Sequence, residues 1–101
     1  MSEVRWTETA YEDLAAIRAF IQHDSPAYAE LFVTRLYEAV GRLRQFPDSG
    51  RMVPERADPS LRELIRPPYR IVYRRHEAAV EVLTIFHSAR LLPETVRGSA
   101  G

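Results

Sequence analysis

The chain reads as an α+β fold of order β-α-α-β-β-β, an N-terminal helical hairpin packed on a small, mainly antiparallel sheet. Three observations predict it. The first half carries two stretches with apolar residues at helical spacing, separated by only a few residues. Pro47, Gly50, Pro54 and Pro59 then interrupt that pattern, and beyond them the apolar period changes from 3.6 to 2. Finally, 101 residues can bury one core but not two. Residues 1–101 are therefore expected to form one domain, with the tail from about residue 94 frayed because Gly98 and small residues follow Pro93.

Taken in order, Glu3 to Trp6 alternates polar and apolar residues as an edge strand does. Thr7 and Thr9 are candidate helix caps, and Thr9 with Glu12 matches the reciprocal capping box. Ala10, Leu14, Ile17 and Ile21 line one face of a first helix that runs to about His23. Ser25-Pro26 is a second start signal, a capping hydroxyl before a proline at the first helical position, where no N–H is missed. Phe32, Leu36, Val40 and Leu43 continue that helix to about Gln45, and two such helices so close in sequence form an antiparallel hairpin. Leu61 to Arg66 is a strand. Tyr69 to Arg75 alternates Tyr69, Ile71 and Tyr73 with Arg70, Val72 and Arg74, which places the tyrosines under the helices and the arginines on the other face. After a turn at His76 to Ala78, the nearly continuous apolar run Val80 to His87 predicts a central strand covered on both faces.

Composition narrows the chemistry. There is no cysteine, hence no disulfide, thiolate metal site or thiol nucleophile, as suits a reducing cytoplasm. His23, His76 and His87 lack the close spacing of a metal-binding pair, so no metal or other cofactor is expected. No apolar run approaches the roughly 20 residues that span a bilayer, so no membrane partner is expected. The net charge is zero, yet residues 51 to 75 hold seven Arg against three acids, with the compensating acids elsewhere. All fourteen cations are Arg, a bias that codon usage explains as well as a need for planar, bidentate anion contacts does. Such a distribution points to a cationic face for an anionic or polar partner.

Arg62, Arg70 and Arg74 are expected on the polar face of the sheet, with Arg90 just beyond the last strand and His87 three residues before it. Convergence of these residues would make a cationic site with one titratable group, able to clamp a phosphate and move a proton near neutrality. The same alternation fits arginines that are solvated or paired with protein carboxylates, and a histidine at a strand end fits a structural role. Ser49 and Ser88 lack the setting of a nucleophile, and the Gly50 turn lacks the spacing of a phosphate loop.

Trp6-Thr7, Ala10, Asp13-Leu14 with Ile17 and Ile21, Ser25-Pro26, Phe46-Pro47-x-Ser49-Gly50-Arg51 with Pro54-Glu55, Arg62-Glu63-Leu64, Tyr69-Arg70-Ile71-Val72-Tyr73-Arg74 and His87-x-x-Arg90 together resemble the RelE/ParE toxin superfamily. The likeness spans nearly the whole chain, and the helical-hairpin signature resembles the ParE branch. It implies the toxin of a type II toxin–antitoxin pair, often called a plasmid stabilisation protein, whose partner is a cognate antitoxin with an acidic tail in a cytoplasmic hetero-oligomer. ParE-type members are taken to poison DNA gyrase and arrest growth without a fixed catalytic set. RelE-type members cut mRNA on the ribosome with lysines, two arginines and a C-terminal tyrosine. Arg70 and Arg90 match the arginines, but Arg62 and Leu64 stand near the lysine positions and Val96 at the tyrosine position. Other ribosome-dependent relatives use Glu and His, for which Glu63 and His87 are the candidates. A ParE-like gyrase inhibitor is the reading, with Arg62, Arg70, Arg74, His87, Arg90, Leu91 and Leu92 as residues that bind target or antitoxin. The alternatives are a ribosome-dependent endoribonuclease using Arg70, His87, Arg90 and Glu63, and a degenerate toxin that serves only as antitoxin-binding co-repressor. Leu91 and Leu92 are expected to be left uncovered until an antitoxin binds, making the free protein poorly soluble.

Overall fold

The computed structural model describes residues 1–96. Its elements are β1 (Glu3–Trp6), α1 (Glu8–Asp24), α2 (Pro26–Gly41), a 3-10 turn (Arg42–Arg44), β2 (Arg51–Met52), β3 (Leu61–Arg66), β4 (Tyr69–Arg75) and β5 (Ala79–His87). The anticipated order holds, with the two-residue β2 added at one edge. One sheet forms in the order β1-β5-β4-β3-β2. All its pairings are antiparallel except that of β1 with β5, which is parallel. Among the described residues no helix is long and apolar enough to cross a membrane.

Thr7, not Thr9, caps α1. Its Oγ1 accepts from the Ala10 N–H at 3.1 Å and also lies 2.9 and 3.0 Å from the carbonyls of Val82 and Leu83. One hydroxyl thus starts the helix and ties it to β5. The Thr9–Glu12 box does not form, because the chain turns helical at Glu8 and Thr9 already lies within the first turn. Ser25 behaves as its sequence indicates: its N–H closes α1 on Ile21, its hydroxyl accepts from the Tyr28 N–H, and Pro26 opens α2.

Two apolar clusters flank the sheet. On the helical side Ala10, Leu14 and Ile17 of α1 and Phe32, Leu36, Ala39 and Val40 of α2 pack with Leu64, Tyr69, Ile71, Tyr73, Val80, Val82 and Ile85. The opposite side is not a bare polar face. There Leu61, Val72 and Phe86 are covered by Val53 from the loop before β3 and by Leu92 and Val96 from the segment after β5. Val96 is buried and its N–H bonds to the Pro93 carbonyl, while Glu94 and Thr95 between them are exposed; the rest of the tail expected to fray, residues 97–101, lies outside the described part. Strand β5 serves both clusters through an irregularity. Val82 faces Tyr73 and Thr84 faces Val72, leaving Leu83 as the extra residue of a bulge. Val80 and Val82 therefore point at the helices before it, and Ile85 and His87 after it.

The Phe46-to-Arg51 turn is pinned from beneath. The buried Tyr73 hydroxyl donates to the Pro47 carbonyl at 2.8 Å and accepts from the Gly50 N–H at 2.9 Å. A Cβ at Gly50 would lie 2.6 Å from that hydroxyl and 2.7 Å from the Glu63 carbonyl, so only glycine lets the backbone approach this closely.

Candidate functional site

Arg70 lies near the middle of the second face, and carboxylates surround it. Its Nη1 and Nη2 donate to the two oxygens of Glu55 at 2.8 and 2.7 Å, a fork-on-fork pair. Nε donates to Glu63 at 2.6 Å, Nη1 also reaches the Arg90 carbonyl at 3.3 Å, and the guanidinium carbon lies 4.8 Å over the Phe86 ring. The side chain is 7% exposed. Glu63, fully buried, takes a second arginine, Arg51, on its other oxygen at 2.6 Å. Glu55 in addition accepts the Leu92 N–H at 2.7 Å. The Arg70 guanidinium beside Glu55 holds its carboxyl down at about 2, with the Leu92 N–H adding to the effect against partial burial, and Arg70 itself is pushed up by the Glu55 and Glu63 hydrogen bonds. The cluster is a framework joining the loop before β3, the sheet and the segment after β5.

Several expectations change accordingly. Arg62 does not share a face with Arg70 and Arg74. Cross-strand neighbours point the same way, and Arg62 stands opposite Tyr73 on the helical side, where it bonds the Gly50 carbonyl at 2.9 Å and lies near Asp48. Arg74 is on the expected face but bonds Asp58 and Ser60. Arg75 pairs with Asp48. Five of the seven arginines from 51 to 75 thus have a carboxylate partner within the chain. Both oxygens of Glu63 are occupied by guanidinium donors, one from Arg70 and one from Arg51. Leu92 is 7% exposed and belongs to the second cluster, so the expectation that it is uncovered fails; Leu91 is 80% exposed, as anticipated.

His87 lies opposite Tyr69 and thus on the helical side, away from Arg70; Phe86 takes the position opposite Arg70. Its ring meets the Tyr69 ring edge-on at 5.7 Å. The Ala89 N–H donates to Nδ1 at 3.0 Å, so in the neutral ring the proton sits on the outward Nε2. Arg70 and His87 therefore do not converge. Arg90 is exposed and lines two grooves. One, of about 560 Å³, lies beside the Arg70 cluster and is lined in part by Pro54, Ile65 and Leu91. The other, of about 340 Å³, runs along the end of β5 and contains His87, Asp13, Phe20 and Tyr69.

Asp13 carries a role that the sequence left unassigned. β1 covers β5 only from Ala79 to Val82, and beyond that the Asp13 carboxylate accepts from the Ile85 N–H at 3.0 Å and the Thr84 hydroxyl at 2.6 Å. A side chain from α1 thus substitutes for a missing strand. Glu55 was visible only as part of a motif, since nothing in its spacing foretells a bidentate partner fifteen residues away.

Comparison with known proteins agrees with this architecture. Residues 4–92 match the family described as the ParE toxin of the type II toxin–antitoxin system parDE. Toxin RelE2 of Caulobacter vibrioides is 40% identical over 92 residues, spanning 90% of this chain and all of that protein. A putative toxin of Sinorhizobium fredii, Y4kP, is 39% identical over 95 residues, 92% of this chain and 95% of that one. Among solved structures, the chromosomal ParDE toxin–antitoxin system of P. aeruginosa superposes with a TM-score of 0.69 at 28% identity, covering 86% of this chain and 96% of the other. The RelBE2 toxin–antitoxin complex of Mycobacterium tuberculosis gives 0.58 at 26% identity, with coverage of 85% and 96%. With the helical hairpin, the five-stranded sheet and this match over residues 4–92, the chain belongs to the ParE toxin family of type II toxin–antitoxin systems.

Proposed function

We propose that this toxin inhibits DNA gyrase when free of its antitoxin, and that it acts by binding rather than by cutting a nucleic acid. The observation that carries this reading is the state of Arg70. A guanidinium whose fork is filled by Glu55 and whose Nε is filled by Glu63 has no matching donors left for a phosphate, and the acid–base group that would accompany it, His87, is on the other side of the sheet. The antitoxin engages the groove beside Arg90 and Leu91, where an exposed cation adjoins exposed apolar surface. Gyrase supercoiling and cleavage-complex assays, run beside ribosome-programmed mRNA cleavage on the same preparation, test the proposal. Gyrase inhibition relieved by antitoxin, with intact mRNA, is expected; cut mRNA with unaffected gyrase would overturn it.

A second reading rests on the groove at the end of β5. His87, with Nε2 outward, and the exposed Arg90 line it together, a proton-transfer group and a free cation without Arg70. A relative named RelE2 and a RelBE2 structural neighbour keep a ribonuclease in view. On that reading His87→Ala abolishes toxicity while leaving antitoxin binding intact.

A further inference from the structure

Away from both grooves, α2 and the turn between β3 and β4 enclose a cavity of about 180 Å³, lined by Tyr28, Phe32, Arg35, Leu36, Arg66 and Pro67. Its floor is apolar: Phe32 and Leu36 are buried, and the Tyr28 ring, half-exposed at the mouth, leads through Phe32 to Tyr69 at centroid separations of 6.5 and 5.3 Å. Its rim is cationic. Among the described residues seven of thirteen arginines are matched to a carboxylate, and Arg35 and Arg66 are among the six that have none within ion-pair distance. Arg66 spends one N–H on the carbonyl of its own neighbour Ile65, and Glu38, three residues after Arg35 on α2, does not pair with it.

We infer that this cavity is a docking site for an acidic peptide segment that inserts one large apolar side chain between Tyr28 and Pro67 while its flanking carboxylates meet Arg35 and Arg66. A cavity of this size takes one side chain, and the apolar floor selects against a polar one. The guanidiniums match carboxylates with two parallel hydrogen bonds and desolvate more readily than ammonium groups. An acidic peptide fits better than a nucleic acid, because backbone binding to nucleic acid draws on several phosphate contacts and the cavity rim offers two cations in a chain of zero net charge. The site is separate from the Arg90–Leu91 groove and does not depend on whether the toxin acts on gyrase or ribosome.

The test uses the full chain and a panel of fluorescein-labelled acidic octapeptides, each with one central Leu, Ile, Phe, Tyr or Trp, followed by fluorescence anisotropy. At least one peptide is expected to bind with an affinity that falls with salt. Arg35→Ala and Arg66→Ala are each expected to weaken it roughly tenfold, the loss of one charge-assisted contact. Tyr28→Ala should weaken it as well, and Arg90→Ala should leave it unchanged. Unchanged melting curves of the Arg variants separate lost binding from lost folding. Failure of the whole panel, loss of binding only in Arg90→Ala, or tighter binding of an octauridine RNA through Arg35 and Arg66 would each overturn the proposal.

Discussion

Glu55→Gln keeps the shape and hydrogen-bonding reach of the side chain that grips Arg70 and removes its charge. A carboxyl held at about 2 against an ordinary 4.5 corresponds to about 3 kcal/mol of folding stability at neutral pH. Because the folded value is the lower one, this stability is fully present above the unfolded value, near 4.5, and is lost as the pH falls through the folded value. Between those limits the unfolded chain binds the proton and the folded chain does not, so stability rises with pH across that window. Urea unfolding of wild type and Glu55→Gln at pH 7, 5, 4, 3 and 2 isolates the effect, because other carboxylates titrate alike in both proteins and cancel in the difference. The variant is expected to be less stable by about 2–3 kcal/mol at pH 7, with the gap closing towards pH 2. A gap that stays constant with pH, or one below about 0.5 kcal/mol at pH 7, would show that the Arg70 cluster is held by Glu63 alone.

Gly50→Ala forces a methyl group against the Tyr73 hydroxyl and the Glu63 carbonyl; a loss of about 1–3 kcal/mol in chemical denaturation is expected, and Tyr73→Phe in the same chain does not restore it because the carbonyl contact remains. Leu92→Ala opens the second cluster and is expected to cost about 2–4 kcal/mol, whereas Leu91→Ala changes stability by less than about 0.5 kcal/mol; equal effects by thermal melting would contradict their assigned burial. Asp13→Ala strips the Ile85 N–H and Thr84 hydroxyl of their acceptor, so hydrogen exchange at Ile85 should accelerate and stability fall by about 1–3 kcal/mol. If Ile85 exchanges as slowly as in wild type, another group caps that edge.

The helices and the three long strands were legible because their signals are local. Ser25-Pro26 states its cap in two residues, and Ala10, Leu14, Ile17, Phe32, Leu36, Val40 and Leu43 all carry their burial in their spacing. Long-range pairings were not. Nothing near Glu3–Trp6 says that this strand runs parallel to β5, and Thr7 wins the cap from Thr9 because β5 supplies carbonyls for its hydroxyl. Sidedness and pairing around Arg70 were hidden for the same reason. Alternation alone correctly put Arg70 and Arg74 across the sheet from the tyrosines, but it cannot say that Glu55 and Glu63 reach Arg70 first. Nor does it place Arg62, whose sidedness is set by its register against Tyr73, or Leu92, buried because the chain after β5 folds back over Phe86.

The bulge at Leu83 has a consequence for how this fold can change its chemistry. Were Leu83 to take a regular place in the strand instead of bulging, every residue after it would slip by one pairing position, carrying His87 round to the side of Arg70 and Phe86 beneath the helices. The seating of one residue, remote from either side chain, thus decides whether an imidazole and a guanidinium share a surface. On such a scaffold a slip of register in the last strand can bring two side chains together or part them while every residue keeps its identity, a change that a comparison of substitutions alone would never display.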